Sequence, residues 1–249
     1  MIKKVLQIFL CLLSLNAWAL DNTPDSKMGS EVGLDFHVLV PRKRFIGLVE
    51  ARTRSELTDE NYRQFMLGSY YRLTKRWRVG YFAQFEQGLR WDEFWDSSNG
   101  KWGWKKRESG QDFSSVLDAT YNDQIKGSAR WLWESKTRMV HYHGRGRTLA
   151  KQRFGVKYFD FEEGAPRWQY YTYLEGYFPL DYGKQALYEY WLYAGTLYHW
   201  DPQFSIGPYL ALRQRFFKAY DSFSDRTGKH YSTTFTSAFL GLSAVYQFK

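Results

Sequence analysis

The last stretch of the chain, Tyr231 to Lys249, reads YSTTFTSAFLGLSAVYQFK, and from Leu240 onward every second residue is apolar. Leu242, Ala244, Tyr246 and Phe248 continue the series, with Gly241, Ser243 and Gln247 between them. A period of two is the signature of a strand, because successive side chains leave the pleated backbone on opposite faces. One face of this strand is therefore apolar and needs an apolar environment, while the other tolerates polar groups.

The same alternation recurs along the chain and predicts eleven strands: Glu31 to Val40, Phe45 to Leu57, Tyr62 to Leu73, Trp77 to Leu89, Asp112 to Tyr121, Gly127 to Arg138, Ala150 to Phe161, Arg167 to Phe178, Ala186 to His199, Gln203 to Phe217 and Tyr231 to Phe248. The connections vary in length. Short ones fall at Pro41–Arg44, Thr74–Arg76, Asn122–Lys126, Glu162–Pro166 and Trp200–Pro202, and longer ones at Arg90–Gln111, Met139–Leu149, Pro179–Gln185 and Lys218–His230. Strands near or above ten residues, with short turns at one end and long loops at the other, are the pattern of a transmembrane β-barrel. The expected fold is all-β, an antiparallel transmembrane barrel. Single-chain bacterial barrels have even strand numbers, so twelve strands are expected, with ten as the alternative. The loop Arg90–Gln111 has room for strand extensions but not for another crossing.

The other end of the chain carries the features of an export signal. Lys3 and Lys4 precede the apolar run Val5 to Leu15, and Ala17-Trp18-Ala19 supplies the small-x-small pattern of a cleavage site. The expected organisation is a signal peptide over 1–19, a polar tail over 20–30 and a barrel over 31–249. A chain-closing strand that ends on an aromatic pair, behind such a signal, resembles the C-terminal strand of bacterial outer-membrane β-barrels. Cys11, the single cysteine, lies within the signal. The exported chain then has neither a disulfide framework nor a thiolate metal site.

Composition separates a barrel from its competitor, a soluble periplasmic β-sandwich. Aromatic residues make up 20% of the chain, with 11 Trp and 20 Tyr, yet mean hydropathy is −0.58. Both follow if alternate residues face lipid and a polar lumen while Trp and Tyr gather at two interfaces.

Assigning faces predicts the lumen. Trp77, Val79, Tyr81, Ala83 and Phe85 would face lipid, leaving Arg78, Gly80, Gln84 and Glu86 inside. By the same rule Arg130, Glu134, Lys136, Arg138, Arg153, Lys157, Arg213 and Arg215 point inward, and the second strand adds Glu50, Arg52 and Arg54. Two expectations compete for this basic interior. A net positive wall would concentrate small anionic solutes and make a narrow anion-preferring channel. Alternatively Arg and Glu pair across the lumen and, with inward Tyr171, Tyr173, Tyr177, Trp191 and Tyr193, fill a structural barrel.

The order of segments, FIGLVEARTR, then FMLGSYYRLTKRWRVGYFAQF, RWLWESKTR, RFGVKYFDF, YEYWLYAGTLYHW and FSIGPYLALRQRFF, resembles a family of small bacterial outer-membrane barrels known only as a domain of unknown function. The resemblance covers nearly the whole exported chain and implies the barrel fold without any catalytic motif. More distantly, the basic interior is similar to that of porins for acidic oligosaccharides.

Catalysis has one candidate in the sequence. His230-Tyr231-Ser232 resembles the His-x-Ser motif of barrel lipid A deacylases and, more loosely, of barrel phospholipases. Period two puts His230 and Ser232 on the face of Leu240 and Phe248, and Asp225 or Asp221 would orient the imidazole. This is the alternative reading, a lipid-modifying hydrolase. His141 and His143 flank Tyr142 with no third ligand of suitable type nearby, so no metal site is expected. Gly144 to Gly146 lacks the strand-to-helix context of a phosphate loop, and no cofactor is expected. The expected partners are outer-membrane lipid and lipopolysaccharide, whose phosphates are the anions available to a basic exported protein. Nucleic acid is not expected. The expected location is the outer membrane of a Gram-negative bacterium.

Overall fold

The structure is a computed structural model that describes residues 27–56, 61–96, 101–181, 186–218, 228 and 232–248. The expected signal peptide, with its cleavage point at Ala19, lies outside these residues. So do His230, Asp221 and Asp225.

Eleven strands form the described part of the chain: β1 (Lys27–Arg42), β2 (Phe45–Glu56), β3 (Asn61–Arg72), β4 (Trp77–Asp96), β5 (Lys101–Gln124), β6 (Trp131–Tyr142), β7 (Arg147–Glu162), β8 (Ala165–Pro179), β9 (Glu189–His199), β10 (Phe204–Lys218) and β11 (Ser232–Gln247). Each pairs with its neighbours in sequence, and β1 pairs with β11 to close the barrel. The closed barrel therefore has eleven strands, not the expected twelve or ten. An odd number of alternating strands leaves the first and last running the same way. The closing pair is accordingly parallel, from Lys27↔Phe235 to Leu39↔Gln247, while the other ten pairs are antiparallel. The expectation of a wholly antiparallel barrel is corrected at that one seam.

Element boundaries differ where turn chemistry outweighs periodicity. β1 begins at Lys27, inside the segment read as a tail. β6 begins at Trp131 rather than Gly127, because Gly127 takes a left-handed backbone (φ 86°) in the turn that follows β5. Most of the expected connection Arg90–Gln111 instead prolongs the β4–β5 ladder, from Gly88↔Ser109 to Asp96↔Lys101, which is the anticipated strand extension. Between β7 and β8, Glu163 and Gly164 both have positive φ (52° and 82°), the signature of a type I′ turn, whose twist matches that of the flanking strands.

The outward positions of the wall are largely apolar, and charged groups lie inside among buried apolar clusters. Leu34, Leu67, Tyr81, Leu117, Phe154, Leu210 and Leu240 point outward, with Leu210 62% exposed. A band of aromatic contacts runs round the short-turn end: Phe45–Tyr71, Trp77–Tyr121, Tyr121–Trp133, Trp131–Tyr158, Trp168–Tyr198 and Tyr246–Phe248, with ring centroids 4.8–5.1 Å apart. Trp77, Trp133, Phe154 and Leu242 are exposed, and Trp131 and Phe204 are partly exposed.

Candidate functional site

Eleven strands about 4.8 Å apart and tilted by about 40° enclose a cylinder of radius about 11 Å. Large inward Arg, Tyr and Trp side chains on strands several places apart can meet inside it, as Arg54 of β2 meets Trp191 of β9, so such a lumen narrows unless its inward residues are small. They are large. Trp191, Tyr193, Tyr209, Ala211 and Phe239 form one buried cluster, joined by Tyr171, Tyr173 and Tyr177. Ile46, Leu48, Met66, Tyr70, Phe82, Val116 and Val140 form another on the opposite wall. Small residues appear where a ring needs space. A Cβ on Gly241 would come within 2.2 Å of the Tyr209 ring, and one on Gly195 within 2.6 Å of Tyr171.

Charged groups are threaded between these clusters. Asp118, 3% exposed, receives the Lys136 ammonium at 2.9 Å, the Arg138 guanidinium at 3.1 Å and hydrogen bonds from Tyr70 and Thr120. Arg153 pairs with Glu175 at 2.6 Å, and Tyr177 donates to the same carboxylate at 2.8 Å. Lys157 pairs with Glu134 at 2.8 Å. Arg213 and Arg215 share Glu189, at 3.3 and 2.8 Å, and Arg213 also reaches Glu31 at 3.1 Å. Arg52 lies 2.8 Å from Asp35 and 3.3 Å from Glu50, and Tyr209 donates to Asp35 at 2.8 Å. Gln84 donates to Glu86 at 2.6 Å, and Gln64 links Glu50 to Gln84 at 3.3 Å each.

Of the residues assigned to the lumen from sequence, Arg52, Arg78, Arg138, Arg153, Lys157, Arg213, Arg215, Glu50, Glu86 and Glu134 occupy inward positions on their strands. Arg130 does not. It precedes β6 in the short turn, is 53% exposed, and donates to the outward Tyr158 hydroxyl at 3.1 Å while facing Asp160 at 3.5 Å. The strand begins only at Trp131, so the alternation that points Arg130 inward does not hold in the turn before it. The Tyr158 hydrogen bond raises the Arg130 pKa further above the usual guanidinium value.

Sequence alternation undercounted the inward carboxylates. Glu31, Asp35, Asp112 and Asp118 are buried on β1 and β5. In sequence they stand among Gly, Ser and Thr, so neither strand presents an obvious charged face. Among the described residues, the inward cations Arg54, Arg78 and Lys151 have no carboxylate at salt-bridge distance and lie against rings instead. Arg54 is 4.5 Å from the Trp191 ring centre, Arg78 is 4.7 Å from Tyr70, and Lys151 is 4.8 Å from Tyr177. The Nε atoms of Arg54 and Arg78 are buried without a hydrogen-bond partner.

The proposed His230–Ser232 pair lies largely outside the described residues; the backbone of Ser232 pairs with Lys218 at the start of β11. His141 and His143 touch edge to face with ring centres 5.0 Å apart. No cluster of three or more His, Cys, Asp or Glu suited to a metal ion occurs among the described residues. No protein-family model matches this chain, and no curated protein is similar to it.

Proposed function

We propose that the protein is an outer-membrane β-barrel with a sealed lumen, a structural barrel whose working surface is its lipid-facing exterior. The observation that carries this reading is the middle of the barrel. Asp35, Glu50, Met66, Phe82, Val116, Asp118, Glu175, Tyr193 and Tyr209 come from eight different strands, and all are buried. An open water path would expose some of them. The closely paired charges support the same reading, since ions held out of water need partners within contact distance. The apolar exterior and the aromatic band at the turn end support insertion in a bilayer, because patches of that extent mark a membrane or partner surface.

A second reading keeps a narrow anion path, favoured by Arg54, Arg78 and Lys151, which have no carboxylate at salt-bridge distance among the described residues. Outer-membrane lipid and lipopolysaccharide are the partners of the first reading, and small anionic solutes are those of the second. Membrane insertion is tested with Leu210→Arg. In a bilayer an outward Arg near the midplane costs about 2–4 kcal/mol of folding stability. Urea titration in lipid vesicles should show that loss, and an unchanged midpoint would overturn the membrane reading.

A further inference from the structure

The geometry points to a hydrolase site for acyl esters of lipids on the outward face of β4, β5 and β6, with Ser115 as nucleophile and His143 as its base. This rests on the reading that the outward face meets lipid. Ser115 Oγ lies 2.8 Å from His143 Nε2, and the Tyr81 hydroxyl lies 3.2 Å from Ser115 Oγ on the other side. Ser115 has its side chain at the surface, and Tyr81 is well exposed. A hydroxyl between a phenol and an imidazole can accept from the first and donate to the second, which is the arrangement that activates a serine.

His143 is held in place from several directions. Its ring stacks on Phe113 at 5.4 Å, its backbone N–H donates to Phe113 O at 3.0 Å, and the edge of His141 meets it at 5.0 Å. His141 Nδ1 lies 3.1 Å from Thr148 Oγ1, and the Thr148 N–H donates to Asp181 Oδ1 at 2.7 Å, which brings a carboxylate to the same patch.

The second observation is a groove of about 470 Å³ that begins at Tyr81 and runs toward the short-turn end. Tyr71, Val79, Leu117, Ala119 and Met139 line it, and Ala119 provides the depression between larger neighbours. An acyl chain lying there would bring its carbonyl carbon to Ser115. Ser115 stands level with Ala83 on β4 and His141 on β6, with exposed Phe113 on its loop side and exposed Leu117 and Met139 on its turn side.

The reaction follows from the contacts. His143 Nε2 takes the Ser115 proton as Oγ bonds to the carbonyl carbon, and the Tyr81 hydroxyl donates to the oxygen that gains charge. The ester C–O bond breaks, His143 returns the proton to the departing alcohol, and the acyl group remains on Ser115. Water, deprotonated by His143, then attacks the acyl-serine, releasing the fatty acid and restoring the Ser115 hydroxyl. A second Ser–His contact, Ser205 Oγ to His199 Nδ1 at 2.8 Å, faces the lumen, where no acyl chain has access.

The test uses the full chain refolded into vesicles, with insertion verified by protease protection. One vesicle set contains phosphatidylethanolamine and phosphatidylglycerol, and the other also contains lipid A, so fatty-acid release distinguishes glycerophospholipid from lipid A as the source of the ester. A long-chain fluorophosphonate should label Ser115, located by peptide mass spectrometry. Ser115→Ala and His143→Asn should each reduce hydrolysis about a thousandfold or more, since members of such a unit fail together. Tyr81→Phe should lose roughly ten- to a hundredfold, and Ser205→Ala should match the wild type. Inserted wild type that releases no fatty acid from either vesicle set overturns the assignment. So does hydrolysis that survives Ser115→Ala, or label on Ser232 in place of Ser115. A chain that does not insert overturns the membrane reading beneath it.

Discussion

Replacing Asp118 by Asn measures whether the lumen is dry and ion-paired. The carboxylate is 3% exposed and is the shared partner of Lys136 at 2.9 Å and Arg138 at 3.1 Å, with Tyr70 and Thr120 completing its shell. The amide keeps the size and some of the hydrogen bonding but removes the charge, leaving two buried cations without it. Breaking a buried ion pair by removing one partner costs about 3–5 kcal/mol, whereas an exposed pair is worth about 0–1 kcal/mol. Arg138 also has the more distant carboxylates of the lumen to draw on, so the lower part of that range is expected, about 3 kcal/mol. The assay is urea unfolding of the vesicle-embedded barrel followed by tryptophan fluorescence. Adding Lys136→Met to Asp118→Asn should recover part of the loss, because one stranded charge is gone. A loss below about 1 kcal/mol would show that water screens these groups and would refute the sealed lumen.

Three further outcomes follow from the geometry. Gly241→Ala places a methyl within 2.2 Å of the Tyr209 ring and should cost about 1–3 kcal/mol by overpacking, read in the same urea assay. Leu34→Cys with Leu242→Cys, Cα partners across the parallel seam, should form a disulfide on mild oxidation, visible as a changed gel mobility that dithiothreitol reverses. Failure of that pair to cross-link while Leu34→Cys with Leu240→Cys, two residues along the same face, does would contradict the closing register. The Thr148 N–H holds the Asp181 carboxyl below the usual carboxylate range. Because the folded pKa is depressed, the contact is fully present above the ordinary carboxylate value and is lost as pH falls through the folded one. The Thr148 amide shift in NMR should therefore move only in acid, and a midpoint at or above the ordinary value would contradict the contact.

The wall of the barrel is legible in the sequence because outward-facing and lumen-facing residues must alternate on every strand. β4 shows this directly, with Trp77, Val79, Tyr81 and Phe85 outward and Phe82, Gln84 and Glu86 buried. Periodicity marks eleven strands, and the rule of even numbers moves the expectation away from the eleven that close the barrel. The parallel seam depends on pairing between chain ends, which no local window contains. Lumen pairing was hidden for the same reason. Tyr209 bonds Asp35 across 174 residues, and Arg213 reaches Glu31 across 182. Arg130 was misplaced because Gly127 bends the chain before the alternation becomes a strand. Ser115 and His143 lie 28 residues apart and meet only through the β5–β6 register, in which Ser115 stands opposite His141, next along the outward row to His143. No spacing motif marks that diagonal pair, so a sequence search for His-x-Ser finds the C-terminal triplet instead.

The sealed lumen is tested most directly by electrical recording from the refolded protein in planar bilayers, with a salt gradient across the membrane and insertion confirmed in the same preparation. The buried middle layer and its ion pairs predict no current steps above the bare bilayer at moderate voltage. Stable steps with a reversal potential favouring anions, diminished when Arg54 and Arg78 are replaced by Glu, would contradict the sealed barrel and establish the anion path.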